Sequence, residues 1–197
     1  MSGQTERTTN SEGAPLVAFA RPIMAVVYSE SSLAADILRR LAAHFDGLGA
    51  RCCGFIQHAA PRADRARCDM ELEDLSSHET LKLSEDRGEG ARGCRLDAAE
   101  LANAVVRAHD MLATGADILI VNKFGKMEAE GGGFRPVIAD ALERGIPVLI
   151  AIPTCNLDSW RAFAGDLAGE ITAETLAGTL RGPHHAVDIE RVLAPPA

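Results

Sequence analysis

The sequence is poor in aromatic residues, which make up 4% of its 197 positions, and it lacks a long hydrophobic run. Crossing a bilayer takes about 18 consecutive apolar residues, so no membrane insertion is expected. The first 15 residues contain no basic segment followed by a long apolar one, so a secretory signal is not predicted. We therefore expect a cytoplasmic protein.

A net positive charge and paired cysteine motifs are also missing. The net charge is −8 at pH 7, which argues against nucleic acid as a partner. The five cysteines form no CxxC pair, so their spacing does not predict a structural zinc site, and most are expected to be reduced, inert thiols. A hydrophobic fraction of 47% with 24% charged residues is typical of a globular domain.

The stretch 116–128 predicts the centre of the fold. Its apolar residues run without alternation to Val121 and stop at Asn122 and Lys123. Such a run indicates a strand buried on both faces, as in a parallel sheet covered by helices. Ligands of these sheets bind beyond the carboxyl ends of the strands.

Apolar runs and helical patterns alternate along the rest of the chain. Strands are predicted at 23–28, 50–57, 117–122 and 146–152. Helices are predicted to follow these strands, with a serine-rich cap for the first, Asp97 for the second and Asn156 or Asp158 for the one after Pro153. The order favours an α/β three-layer sandwich with a mostly parallel, P-loop-like sheet.

Between the second and third of these strands the pattern changes. Apolar and charged residues alternate over 68–73, and Leu81 and Leu83 flank Lys82, which predicts a small antiparallel hairpin. We expect a flexible N-terminal segment at 1–20, a single α/β domain at 21–182 with this insert at about 62–95, and a C-terminal tail at 183–197.

The first βα turn is where a phosphate-binding loop would lie. That loop needs glycines and a lysine, whereas residues 28–33 contain neither, and Glu30 adds a negative charge. Ser29, Ser31 and Ser32 still offer hydroxyl groups at a helix N-terminus, where a compact oxyanion can bind. The alternative is that these serines only cap the helix.

Asn122 and Lys123 occupy the place where a hydrolase would present acids to Mg²⁺. An amide and an ammonium cannot hold that ion or activate water, so no catalytic residue is predicted and ATP with Mg²⁺ is not expected as a cofactor. Lys123 or Lys126 could instead neutralise an anion. The alternative is that both lysines are solvated loop residues.

A third cluster is rich in arginine and lies in the insert. Arginine suits tetrahedral oxyanions, and the candidates include Arg62, Arg87 and Arg92. Interleaved acids make surface ion pairs an equally reasonable interpretation. His58 follows the second strand and is the histidine best placed for a site. Cys68 and Cys94 stand next to arginines and, with His58, are weak candidates for an unknown metal.

Several segments carry a resemblance to a known family. They are Gly54–His58 with Pro61–Arg62, Cys68–Leu75, Ser84–Gly88 with Gly93–Asp97, Asn122–Glu128, and Asn156–Asp166. Over residues 22–170 the chain resembles a bacterial family of uncharacterised proteins related to thermophile-type nucleoside-triphosphatases. The resemblance implies a P-loop fold, and members are often encoded beside molybdate-uptake genes. The true triphosphatases carry a glycine-lysine loop and an Asp-Glu pair that this sequence lacks.

Together these patterns predict a non-hydrolytic ligand-binding protein on a degenerate P-loop-like scaffold. Its partner would be a small anionic ligand; the resemblance suggests molybdate or a related oxyanion, and a homo-oligomer is possible. Two alternatives stay open: a nucleotide-binding protein or weak nucleoside-triphosphatase, and a regulatory protein-interaction module.

Overall fold

The structure is a computed structural model that describes residues 8–10, 14–60, 69–82, 84–85 and 95–181. Strands and helices alternate along this part of the chain. The strands are β1 (Ile23–Tyr28), β2 (Cys52–Ala60), β3 (Asp69–Asp74), β4 (Thr80–Lys82), β5 (Ser84–Glu85), β6 (Arg95–Leu96), β7 (Ile118–Val121), β8 (Val148–Pro153) and β9 (Ala168–Thr172). The helices are α1 (Ser31–Gly47), α2 (Ala98–Thr114), α3 (Lys126–Ala129), α4 (Arg135–Glu143), α5 (Leu157–Ala164) and α6 (Ala173–Leu180).

Seven strands form one sheet in the order β4-β3-β2-β7-β8-β1-β9. The pairs β2–β7, β7–β8, β8–β1 and β1–β9 are parallel. Strand β7 is therefore the middle strand, as the apolar run that ends at Val121 predicts. The predicted fold class, an α/β sandwich with a mostly parallel sheet, is confirmed.

Helices cover both faces of the sheet and enclose two separate cores. Side chains of α2, α4 and α5 pack on the face that carries Phe55, Val121 and Ile150. Side chains of α1 and α6 pack on the opposite face, which carries Val26 and Ile120. Helix α1 leads from β1 to β2 in one direction across the sheet. Helices α2, α4 and α5 lead to β7, β8 and β9 in the opposite direction. Right-handed crossovers require this division between the two faces.

The predicted hairpin extends the main sheet. Strand β3 pairs antiparallel with β2, and β4 pairs antiparallel with β3. Asp74 stabilises the turn between β3 and β4, because its buried carboxylate accepts hydrogen bonds from the backbone and hydroxyl of Ser76 at 2.8 and 2.7 Å. The loop predicted at 84–95 begins and ends in a short ribbon, in which β5 pairs with β6.

Two strands approach each other closely at Gly54. This residue lies in β2 opposite Ile120 of β7, with a φ of +115°. A Cβ atom there would overlap the carbonyl oxygen of Ile120. Only glycine tolerates both the backbone angle and the contact.

Local details differ from the prediction at three places. The serines do not cap α1, since Glu30 is the N-cap residue and no side-chain cap bond forms. Asn156 precedes α5 without capping it through its side chain. Strand β9 was not predicted, because its sequence AGEIT has only one large apolar residue; it forms at the sheet edge beside β1.

The predicted cap of α2 is confirmed, as Asp97 accepts from the N–H groups of Ala99 and Glu100.

The described part of the N-terminal segment packs on the domain. Val17 is buried in the core beneath α1 and α6. Thr8 donates two hydrogen bonds of 2.8 Å to the carboxylate of Asp117, one from its backbone and one from its hydroxyl. Arg51 donates to the same carboxylate from its backbone at 2.9 Å and from its guanidinium at 3.1 and 3.2 Å. Asp117 therefore connects the starts of β2 and β7 to the N-terminal segment.

Within the described residues, no helix combines the length and the apolar character that a membrane span requires.

We expect Asp117 to make stability depend on pH. Burial alone would raise the pKa of this carboxyl, but hydrogen bonds from Arg51 and Thr8 outweigh burial and lower the pKa from 3.8 to about 2. Because the pKa of Asp117 is lower in the folded state, its ionised carboxylate stabilises the fold above about pH 4. This stabilisation is lost as the pH falls through 2. This difference is worth about 2 kcal/mol in the free energy of unfolding.

Urea denaturation of the wild type and the Asp117→Asn variant at several pH values between 7 and 2 measures this contribution. The difference in stability between the two proteins should be largest at neutral pH and should shrink between pH 4 and 2. A difference that stays constant over this range would contradict the assignment.

Candidate functional site

The carboxyl ends of β1, β2 and β7 meet at one edge of the sheet. These strands run parallel, so their carboxyl ends lie together, and we call this the carboxyl edge. Gln57 of β2 and Asn122 after β7 are in direct contact there, with the Asn122 amide donating to the Gln57 carbonyl at 3.3 Å. The two amides form the floor between two pockets.

One pocket, the serine pocket, has a volume of about 210 Å³. Its lining comes from the β1–α1 turn, the end of β2 and the loop after β7: Tyr28, Ser31, Ser32, Ala34, Ala35, Gln57, Asn122 and Lys123. The structure thus brings Ser31 and Ser32 together with Asn122 and Lys123. Ser29 is exposed and does not line the pocket. Anion binding by these residues stays a prediction.

Ser31 and Ser32 form hydrogen bonds with side chains and do not cap the backbone of α1. Ser32 donates its hydroxyl to the carboxylate of Glu30 at 2.5 Å. Burial raises the pKa of Tyr28, and a hydrogen bond with Ser31 opposes that effect. A carboxylate is therefore already bound to one serine hydroxyl, and an incoming anion must compete with it.

The two candidate lysines have different surroundings. Lys123 is exposed at the mouth of the serine pocket, and no carboxylate of the described residues pairs with it. Lys126 lies 3.6 Å from Glu130 in an ion pair one helical turn away, and it lines the second pocket. Lys123 is thus the better placed of the two to neutralise an anion beside the serines.

A buried glutamate shapes the loop that carries Lys123. The carboxylate of Glu128 accepts hydrogen bonds from the backbone N–H of Gly125 at 2.8 Å and of Phe134 at 2.9 Å. Gly133 has a φ of +59°, and a Cβ atom there would overlap the Glu128 carboxylate. One acidic side chain therefore closes the whole loop from Gly125 to Phe134.

Glu128 was not among the predicted site residues. The sequence around it offers only the glycine triplet at 131–133, and the acid directly before that triplet is Glu130. Sequence reasoning interpreted the glycines only as an interruption before α4. The hydrogen bonds of Glu128 are made to backbone groups, which no residue pattern reveals.

The start of the same loop is anchored by Phe124. Its backbone N–H donates to the carbonyl of Ala151 in β8 at 2.8 Å. Its carbonyl accepts a hydrogen bond from the Asn156 side chain at 2.9 Å, which explains why Asn156 does not cap α5. The buried Phe124 ring meets that of Trp160 edge to face, with 5.3 Å between the ring centroids. Backbone and ring contacts together fix the position from which Lys123 extends.

Six other predicted site residues cannot be assigned to either pocket from the described part of the chain. Arg62, Arg87, Arg92, Cys68 and Cys94 lie outside the described residues. His58 belongs to β2, where its backbone pairs opposite Glu71.

Burial determines the protonation of two of the three described cysteines. Burial raises the pKa of Cys52 and Cys53 to about 12, so both stay protonated at neutral pH, as predicted for inert core thiols. Cys155 is exposed. Over the part of the chain that the structure covers, no three His, Cys, Asp or Glu side chains are grouped closely enough to hold a metal ion.

Comparison with known proteins identifies relatives of this chain. Residues 23–179 match the family model described as "Protein of unknown function (DUF2478)". A curated protein of Bradyrhizobium diazoefficiens, "Molybdenum import ATP-binding protein ModC 2", is 31% identical over 152 residues. That alignment covers 77% of this chain but 17% of the relative, so the chain spans about a sixth of that protein's length. No solved structure matches the chain significantly.

We expect Glu128→Gln to destabilise the protein. The glutamine amide has one acceptor oxygen, so its NH₂ group would face one of the two backbone N–H groups that the carboxylate now satisfies. An unsatisfied buried donor costs about 1–3 kcal/mol in the free energy of unfolding. Urea denaturation measures the effect.

Glu130→Gln is the matched control, because Glu130 is exposed two residues further on and pairs only with Lys126 among the described residues. That variant should unfold within about 0.5 kcal/mol of the wild type. Equal stability of the two variants would show that the Glu128 carboxylate does not hold the loop.

Proposed function

The chain belongs to the DUF2478 family of proteins of unknown function, and we propose that it binds a small oxyanion without hydrolysing a nucleotide. The observation that carries this proposal is the convergence of Ser31, Ser32 and Lys123 on one pocket at the carboxyl edge. In open α/β sheets this edge is where ligands bind.

The charges around the serine pocket favour the binding of an anion with modest affinity. Lys123 supplies an ammonium that pairs with no described carboxylate, and the N-terminus of α1 adds the positive end of a 17-residue helix. Glu30 works in the opposite direction, because its carboxylate accepts from Ser32. Charge-assisted hydrogen bonds contribute about 1.5–3 kcal/mol each, so three or four of them give roughly micromolar binding after desolvation.

Molybdate or a related metal-oxo anion is our first candidate ligand. Two things support it: the printed name of the Bradyrhizobium relative refers to molybdenum import, and the sequence resembles a family often encoded beside molybdate-uptake genes. Molybdate is a doubly charged tetrahedral oxyanion, which suits hydroxyl donors next to one lysine. A cytoplasmic location and a possible homo-oligomer stay predictions.

Nucleotide binding or weak nucleoside-triphosphatase activity is the second candidate function. The relative is named an ATP-binding protein, which favours this alternative. Against hydrolysis, the β1–α1 turn has no glycine or lysine to wrap a triphosphate, and Asn122 and Lys123 occupy the place of the acids that would hold Mg²⁺. We therefore rank it below oxyanion binding.

The purified protein should show no Mg²⁺-dependent ATPase activity above background. A lost group that stabilises the transition state by about 3 kcal/mol already lowers the rate more than a hundredfold. Phosphate release, measured with and without a chelator, tests this expectation. Turnover near 1 s⁻¹, the low end of ordinary enzymes, that disappears on chelation would favour the triphosphatase.

Lys123→Ala should weaken oxyanion binding roughly tenfold or more, because it removes a charge-assisted hydrogen bond. Titration calorimetry with molybdate, tungstate, sulfate and phosphate measures the affinity. Lys82→Ala, on the hairpin strand β4, is the control and should leave binding unchanged.

Glu30→Gln should act in the opposite direction and strengthen binding, since it removes the carboxylate that competes for Ser32. If no oxyanion binds below millimolar concentration, or if Lys123→Ala binds as well as the wild type, the pocket is not an oxyanion site. The regulatory protein-interaction module would then be the better hypothesis.

A further inference from the structure

A second pocket adjoins the serine pocket on the other face of the sheet. It has a volume of about 210 Å³. Pockets for drug-sized ligands have volumes of about 300–1,000 Å³, so this one suits a smaller molecule, such as a single ring with one substituent. We call it the apolar pocket, because the buried side chains of Phe55, Leu72, Val121 and Phe134 line it.

The wall of the apolar pocket suits an aromatic ring. Phe55 and Phe134 both line it, and their rings meet edge to face with 5.9 Å between the centroids. Aromatic rings favour edge-to-face or offset neighbours, so a ring in the pocket extends this pair. Leu101 and Met127 add partly exposed apolar surface to the wall. A ligand that covers this surface removes it from water, which is favourable.

The apolar pocket shares one ammonium with the serine pocket, because Lys123 lines both. The stem of Lys123 lies over Gly125, which also lines the apolar pocket. Its Cγ and Cε atoms are 3.8 and 3.7 Å from the position that a Cβ atom of Gly125 would take. The stem therefore follows the rim of the apolar pocket and presents the ammonium to a ligand there.

The other charged side chains of the apolar pocket already have partners. The carboxylate of Glu128 accepts two backbone hydrogen bonds, and this residue is only 4% exposed. Lys126 lies 3.6 Å from Glu130 in an ion pair. Lys123 pairs with no carboxylate among the described residues. The pocket therefore combines an apolar wall with one ammonium that lacks a counter-ion in the part of the chain described.

An amide donor adjoins this ammonium. Gln57 and Asn122 line both pockets, and the Asn122 amide donates to the Gln57 carbonyl. The NH₂ group of Gln57 makes no hydrogen bond within the residues that the structure describes. A carboxylate has two acceptor oxygens, so it can accept from an amide and from an ammonium at the same time.

We infer that the apolar pocket binds a small aromatic carboxylic acid, in the size class of benzoate and phenylacetate. The ring lies against Phe55 and Phe134, and the carboxylate accepts from Lys123 and Gln57. This site is separate from the serine pocket and does not need an oxyanion to be bound. Because one ammonium serves both pockets, the acid and the oxyanion compete. That competition, unlike the acid site itself, also rests on the proposed function.

Titration calorimetry with matched probes tests the acid site. The probes are phenylacetate and benzoate, which have ring and charge; phenylacetamide and benzamide, which keep the ring without the charge; and acetate, which keeps the charge without the ring. At least one acid should bind about tenfold more tightly than its amide and than acetate. Lys123→Ala should weaken that acid about tenfold, and Lys82→Ala on β4 should leave its affinity unchanged.

Variants of the wall test where the ring lies. Leu101→Phe fills part of the apolar pocket, and Met127→Ala removes a side chain from its wall. Both should weaken the acid about fivefold. Val106→Ala, which alters an exposed side chain of α2 outside the pocket, is the control. The fluorescence of Trp160, the single tryptophan and fully buried, verifies that each variant is folded. If the wall variants change the oligomeric state on a sizing column and leave acid binding unchanged, the pocket is an interface between copies and the inference is wrong.

A molybdate titration in the presence of saturating acid tests the competition, and the acid should weaken molybdate binding about tenfold. If oxyanions bind but no acid binds more tightly than its amide, the proposed function stands and the acid site is refuted. If an acid binds through Lys123 and no oxyanion binds, the acid site stands and the proposed function fails. Acid binding that is unchanged in Lys123→Ala, or acid and molybdate that bind without affecting each other, would refute the shared ammonium.

Discussion

The close contact between Gly54 and the carbonyl oxygen of Ile120 is the constraint on which the candidate site depends. It places β2 against β7 in one register, with Gly54 opposite Ile120 and Phe55 opposite Val121. From that register Gln57 reaches Asn122 beyond the end of β7. A side chain at position 54 would separate the two strands, and both pockets share the amide pair that their contact creates.

A second constraint acts on the loop after β7. A lysine on an unsupported loop would sample many positions, and ordering it would reduce the free energy available for binding. Here the contacts of Phe124 with β8 and Trp160 and the buried carboxylate of Glu128 fix the backbone on the C-terminal side of Lys123. The backbone that carries the lysine is therefore held by interactions between buried groups.

The polar groups that the structure describes at the carboxyl edge are amides, hydroxyls and the ammonium of Lys123. Hydrolysis of a triphosphate needs positioned acids and a metal ion at this edge. Oxyanion binding, as proposed, depends instead on Lys123 and the two serines.

The sequence by itself determined the α/β class, the middle position of β7 and the start of α2 at Asp97. Each depends on local signals: an uninterrupted apolar run requires burial on both faces, and a carboxylate at the start of a helix satisfies its free N–H groups. It also predicted Ser31, Ser32 and Lys123 at one edge, because parallel strands bring their carboxyl ends together. The sequence could not show that Ser32 binds Glu30, that Glu128 closes its loop, or that an apolar pocket adjoins the serines. Those features depend on distances between strands and backbone groups that only the packed sheet sets.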